Sequence, residues 1–278
     1  MTANSAASED APRRAAIIGG GPAGLMAAEV LAAAGLQVDL YDTMPSVGRK
    51  FLLAGKGGLN LTHGEPMVAF LERYGAQRER LAPLLARFGP DALRAWASDL
   101  GIKTFVGSSG RVFPADLKAA PLLRAWLHRL RAAGVRLHMR HRWVGWCGSG
   151  ATALRLQAPQ GEVDIAPDAV LLALGGASWP QLGSDGAWQA LLQQRGVELA
   201  PLQPSNCGFD VQRRQANGQV LPGWSEHFRS RHAGQPLKNV ALSLLGSGGR
   251  QFASPGEFVV TETGVEGSLV YAASSVVR

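Results

Sequence analysis

The sequence predicts an α/β fold, a unit with a central parallel sheet followed by the start of a β-rich second domain. Three observations carry that reading. An apolar run ending at Ile18 enters a glycine turn and an Ala-rich helix, and a second apolar run closes on Asp42. The order strand, glycine pair and helix returns near residues 168–195. From Pro201 the texture changes to short extended runs separated by turns.

The first unit, residues 15–42, reads as strand, glycine turn, helix and strand. Gly19, Gly21 and Gly24 satisfy the G-x-G-x-x-G spacing where the chain turns into the helix Leu25–Ala34, which Gly35 stops. Gly19 permits the tight turn, Gly21 lets a pyrophosphate approach bare backbone, and Gly24 lets the helix pack closely on the strand. Eighteen residues after Gly24, Asp42 ends the second strand, where a carboxylate can accept hydrogen bonds from an adenosine ribose. This is the pattern of a Rossmann-like dinucleotide-binding unit; the plainer alternative is a glycine turn in an ordinary βαβ unit.

A glycine-rich stretch from Pro45 to His63 lacks apolar periodicity but carries Arg49, Lys50, Lys56 and Asn60, as expected of a ligand-holding loop. Glu65–Arg87 and Pro90–Leu100 read as helices, and Lys103–Pro114 as a hairpin around Gly107–Gly110. Pro121 suits a first helical turn, and Leu122, Leu123, Trp126, Leu127 and Leu130 recur at helical spacing until Gly134. Strands are expected at Val135–Cys147, Ala151–Gln157 and Asp168–Leu174. The last of these enters Gly175-Gly176 and then, past Gly183–Gly186, the helix Ala187–Arg195. Gly267–Arg278 begins a helix-like pattern. The expected division is a disordered tail over 1–14, a dinucleotide-binding domain over 15–200 and a β-rich substrate domain over 201–278, which ends in the start of a helical insertion.

Composition narrows the function classes. With 278 residues, 46% of them apolar, the chain can bury a sizeable core in two domains. Met1–Arg14 lacks the apolar stretch of a secretory signal, and no segment approaches the ~20 apolar residues of a membrane span, so a cytoplasmic location is expected. Cys147 and Cys207 stand sixty positions apart, which excludes a C-x-x-C pair and leaves redox chemistry to a cofactor. His138 and His141, three apart on an expected strand, should point to opposite faces and share no metal. No acid occurs between Asp116 and Glu162, whereas Lys118 and seven arginines do. That stretch reads either as a solvated face or as an attraction for an anionic partner such as nucleic acid.

Taken with Gly48-Arg49-Lys50-Phe51 and Asn60-Leu61-Thr62, the turn Pro22-Ala23-Gly24-Leu25 makes a family recognisable. The chain resembles the FAD-binding oxidoreductases labelled aminoacetone-oxidase-like or NAD(P)/FAD-dependent flavoproteins, relatives of a bile-acid-intermediate reductase. The resemblance covers nearly all of residues 15–278 and includes Gly110-Arg111-Val112-Phe113-Pro114, Lys118-Ala119, Leu174–Pro180 and Gly183-Ser184-Asp185-Gly186 in the family's order. It implies a flavin site with Gly19, Gly21, Pro22, Ala23 and Gly24 on the pyrophosphate and Asp42 on the adenosine ribose. Arg49 and Lys50 would flank the phosphates. Gly57 and Asn60 match the loop lying against the flavin, Val144 a strand position beside the adenine, and Gly175 and Gly176 the second backbone approach.

There are two departures. The stretch Gly55-Lys56-Gly57-Gly58-Leu59-Asn60 replaces a commoner form with an arginine and a cysteine before the asparagine, so chemistry tied to those side chains is not carried over. Family members are also longer and return to the dinucleotide domain with a glycine-rich C-terminal segment, so the chain is expected to be C-terminally truncated. The favoured function is an FAD-dependent oxidoreductase acting on a small organic substrate, with NAD(P)H a transient reductant. Lys56 and Arg111 are candidates for stabilising reduced flavin, and no catalytic residue or metal site is assigned. The rival readings are an FAD-dependent tRNA-modifying enzyme and a flavoprotein remnant without catalysis. Oligomeric state is open.

Overall fold

The chain opens with β1 (Arg14–Ile18), α1 (Pro22–Ala33) and β2 (Gln37–Asp42) in a computed structural model that describes residues 13–54, 57–148, 150–246 and 249–277. These are followed by α2 (Arg49–Ala54), β3 (Thr62–His63), α3 (Met67–Glu72), α4 (Arg78–Arg87), α5 (Pro90–Asp99), β4 (Thr104–Val106), β5 (Arg111–Pro114) and α6 (Ala119–Ala132). Then come β6 (Arg136–Met139), β7 (Arg142–Trp146), β8 (Leu154–Ala158), β9 (Gly161–Ile165), β10 (Ala169–Leu172) and α7 (Trp188–Gln194). The expected tail lies outside the described residues as far as residue 12, and Arg14 already pairs with Gln37 in the sheet. The described residues divide into two compact units, one ending at Leu199 and the next beginning at Ala200.

In the first unit the parallel sheet runs in the order β10-β1-β2-β6. Its inner strands are buried along nearly their whole length, as strands covered on both faces must be. Ile17, Leu25, Leu40 and Leu130 are fully buried, each worth about 2 kcal/mol of apolar burial. Helices α1, α5 and α6 end alike, at Gly35, Gly101 and Gly134 in the left-handed region. In each the following amide reaches five residues back, Leu36 to Leu31, Ile102 to Ala97 and Val135 to Leu130, so the chain reverses toward the next strand with its last carbonyls satisfied. Glu29 of α1 ties the helices together. Its carboxylate accepts from the indoles of Trp96 and Trp126 and from the Arg129 guanidinium.

Several expectations need correction. The stretch Pro45–His63 contains a helix, α2, because Arg49, Lys50, Leu52, Leu53 and Ala54 are good helix formers and no β-branched residue interrupts them. The helix expected over 65–87 is broken by Gly75 at φ 51° and a 3-10 turn, giving α3 and α4. The strand expected over 135–147 is two strands, β6 and β7, because Arg140 takes φ 59°, with its amide on the Met44 carbonyl and that of His141 on the Asp42 carbonyl. Strand β9, unforeseen, pairs with β8 across a tight turn at Pro159-Gln160.

The second unit holds β11 (Phe209–Asp210), β12 (Gln212–Arg214), β13 (Val220–Pro222), α8 (Glu226–His232), β14 (Pro236–Leu245), β15 (Gln251–Val260), β16 (Gly264–Glu266) and α9 (Ser268–Val277). Its main sheet is antiparallel, ordered β11-β16-β15-β14, and α9 packs on it through buried Leu269, Val270 and Ala273.

Candidate functional site

The turn between β1 and α1 is made by glycines with different reasons to be glycine. Gly19 has φ 112°, and a Cβ there would lie 2.3 Å from the Ala173 carbonyl oxygen. At Gly24 a Cβ would lie 1.9 Å from the Gly19 carbonyl oxygen, so helix and turn touch backbone to backbone. Nothing lies within 4 Å of a Cβ built on Gly21, the residue that precedes Pro22 at the start of α1. Pro22 and Ala23, at the start of this twelve-residue helix, line a cleft, with the positive end of the helix dipole behind them. Gly20, which the spacing rule ignores, is constrained as well: a Cβ would lie 2.8 Å from the Asp42 carboxylate.

Asp42 ends β2 facing that turn. Its Oδ2 accepts from the Gly20 amide at 2.6 Å and its Oδ1 from the Met44 amide at 2.7 Å. Burial pushes its carboxyl above the ordinary range, against the pull of those amides and of Arg49. Each carboxylate oxygen keeps a further lone pair for a ligand.

Two clefts join around these groups. The larger, about 430 Å³, takes Gly19, Gly21, Pro22 and Ala23 from the turn, Gly175 and Gly176 from the loop after β10, and Arg49 and Lys50 from α2, with Asp42 at its edge. The smaller, about 270 Å³, is lined by His141, Trp143 and Val144. Gly19, Asp42, Leu174, Gly183 and Trp188 line both. Lys50 Nζ donates to Ser178 Oγ at 2.5 Å, linking α2 to the loop after β10. Among the described residues, the buried side-chain donors without a partner are Arg49 Nε and Trp188 Nε1, and both residues line the larger cleft. The start of a helix and two cations on one cleft suit an acceptor-rich anion such as a diphosphate.

Thus most of the residues singled out from the sequence meet at one place. Gly24 stands behind the turn as packing and lines neither cleft. Gly57 and Asn60 are exposed in the loop before β3 and also line neither, and Lys56 lies outside the described residues. Arg111, on β5, is exposed away from both clefts. Trp188 was missed, because motif spacing describes the acid at the strand tip and not the helix that faces it.

Four of the seven arginines in the acid-free stretch pair with acids from outside it. Arg129 pairs with Glu29, Arg136 with Asp39, Arg142 with Asp185, and Arg155 with Asp164 and Glu162. The two histidines do not point apart. The left-handed Arg140 between them ends the strand alternation, and both rings gather at Tyr41, with 5.7 Å between their centroids. His138 Nε2 lies 2.6 Å from Asp39 Oδ1. Among the described residues no helix is long and apolar enough to cross a membrane.

Comparison with known proteins fits this geometry. A family model described as an HI0933-like protein Rossmann domain matches residues 13–272. The chain is 30% identical over 268 residues to the 3-dehydro-bile acid delta(4,6)-reductase of Clostridium scindens. That alignment covers 93% of this chain, which spans 59% of the length of that relative. Among solved structures, the open conformation of a flavocytochrome c3 fumarate reductase is similar with a TM-score of 0.52 at 15% identity, over 87% of this chain and 48% of that one. This last likeness is one of fold.

Proposed function

Because the chain belongs to the HI0933-like family, we propose that it is an FAD-dependent oxidoreductase, moving a hydride between the flavin and a small organic substrate or NAD(P)H. The observation that carries this reading is the meeting of an open glycine turn, a half-buried carboxylate and the cations Arg49 and Lys50 along two joined clefts. FAD, when bound, supplies a ring system that accepts or gives up a hydride. The chain's residues supply the grip. The amides at the start of α1, with Arg49 and Lys50, hold the diphosphate, and Asp42 accepts from the adenosine ribose. Val144 borders the adenine, and the backbone at Gly175 and Gly176 passes close to the cofactor. A relative named for reducing a dehydro bile acid supports a small organic molecule as substrate.

The test is spectroscopic. The purified chain, incubated with FAD and desalted, should show a flavin band near ~450 nm, and under anaerobic conditions NADH, NADPH or an amine should bleach it. A chain that retains no flavin defeats the proposal, and a retained flavin that no donor or acceptor class can turn over defeats its redox part.

A further inference from the structure

His141 follows the left-handed Arg140 and is tied back to the tip of β2, its amide donating to the Asp42 carbonyl at 2.9 Å. Its ring is held from several sides. Nδ1 lies 2.8 Å from the Met139 carbonyl oxygen, and the rings of Tyr41 and His138 stand against it with centroids 5.8 and 5.7 Å away. A carbonyl oxygen can only accept, so in the neutral ring Nδ1 carries the hydrogen and Nε2 keeps its lone pair.

Among the described residues Nε2 has no hydrogen-bond partner, and it is not shut off from solvent. His141 is half-buried and lines the smaller cleft, as Asp42, Trp143 and Val144 do. That cleft therefore offers a neutral, reachable acceptor whose tautomer is set by the protein. The ligand group it suits is a neutral donor. A phosphate brings acceptors only, and the ring nitrogens of an adenine also accept, whereas its 6-amino group donates.

We propose that His141 selects the base of the dinucleotide, its Nε2 accepting a hydrogen bond from the 6-amino group of adenine. The inference rests on the dinucleotide reading above and adds a specificity-determining residue to it. Position supports the assignment. Arg49, Lys50 and the start of α1 line the larger cleft and not the smaller, while Asp42 lines both. A ribose held on Asp42 with its diphosphate in the larger cleft leaves the smaller one for the base, and His141 is bonded to Asp42 backbone to backbone.

The experiment is a calorimetric titration of wild type and His141→Asn with ADP and with the 5′-diphosphate of purine riboside, which lacks the 6-amino group, beside a nitrogen-15 spectrum of the wild-type histidines. An asparagine amide can take over the bond from Nδ1 to Met139 but puts nothing in the place of Nε2. His141→Asn should weaken ADP about tenfold, the worth of one net hydrogen bond, and leave the purine riboside ligand unchanged. In wild type the His141 Nε2 resonance should move upfield, as an accepting ring nitrogen does, with ADP only, a readout that does not depend on the variant folding. Equal ADP affinity in both proteins, the same loss for both ligands, or an unresponsive Nε2 overturns the inference while the dinucleotide reading stands. A wild type that binds neither ligand overturns both.

Discussion

Asp42 holds the glycine turn it faces, with Oδ2 on the Gly20 amide at 2.6 Å and Oδ1 on the Met44 amide at 2.7 Å. The carboxylate thereby sets the shape of the turn before any ligand arrives, which lowers the ordering cost of binding. Asp42→Ala strips two amides of their acceptor, so unfolding in urea should show a loss of about 2 kcal/mol. ADP affinity, measured by calorimetry, should fall by more than about tenfold.

Two aspartates on one strand should answer pH in opposite directions. Burial pushes the Asp39 carboxyl up, but the hydrogen bonds and charges of Arg136 and His138 outweigh that and hold it below the ordinary 3.8. Burial leaves Asp42 above 3.8. A lowered folded pKa contributes stability that is lost as pH falls through it, and a raised one contributes stability that is lost as pH rises through it. Urea unfolding of wild type, Asp39→Asn and Asp42→Asn across acid pH should separate the two. The wild-type advantage over Asp39→Asn should shrink on acidification below pH 3.8, and that over Asp42→Asn should grow on acidification toward pH 3.8 from above. Parallel slopes would contradict this electrostatic account.

The glycines should divide by role. Gly24→Ala drives a methyl into the Gly19 carbonyl and should cost about 3 kcal/mol of stability. Gly21→Ala meets no neighbour and sits at φ −78°, which alanine accepts, so stability should change by less than about 0.5 kcal/mol. Its methyl nevertheless stands over the open amides, and ADP binding should drop at least about tenfold. Wild-type affinity in a stable Gly21→Ala protein would show that ligand does not approach there.

Glu29 should matter for stability alone. Removing its carboxylate leaves the indole N–H groups of Trp96 and Trp126 and the Arg129 guanidinium without their acceptor. Glu29→Ala should therefore cost about 3 kcal/mol in urea unfolding, with ADP affinity per folded molecule unchanged.

What could be read from the chain alone follows from where information is local. The unit from Arg14 to Asp42 was legible because a buried parallel strand, a glycine turn and an acid at the strand tip each leave a mark on their own residues. The hairpin β4-β5 and helix α6 were legible for the same reason. Short elements were not. Helix α2 has six residues and hid among glycines, and β9 followed a Pro-Gln-Gly turn whose signal was present but unused. The histidine pair was misread because alternation was assumed to run through Arg140, whose left-handed backbone is imposed by the Asp42–Met44 loop. Neither the ion pairing of the arginine stretch nor the orphan indole of Trp188 could be seen, since both depend on side chains far apart in sequence.

The central claim is that the turn at Gly19–Gly24, closed by Asp42, holds a dinucleotide, and equilibrium dialysis of the purified chain against FAD tests it most directly. The account predicts uptake approaching one FAD per chain in wild type, greatly reduced in Gly21→Ala and Asp42→Ala. Absence of uptake by a folded wild-type chain, or equal uptake by all three proteins, would contradict it.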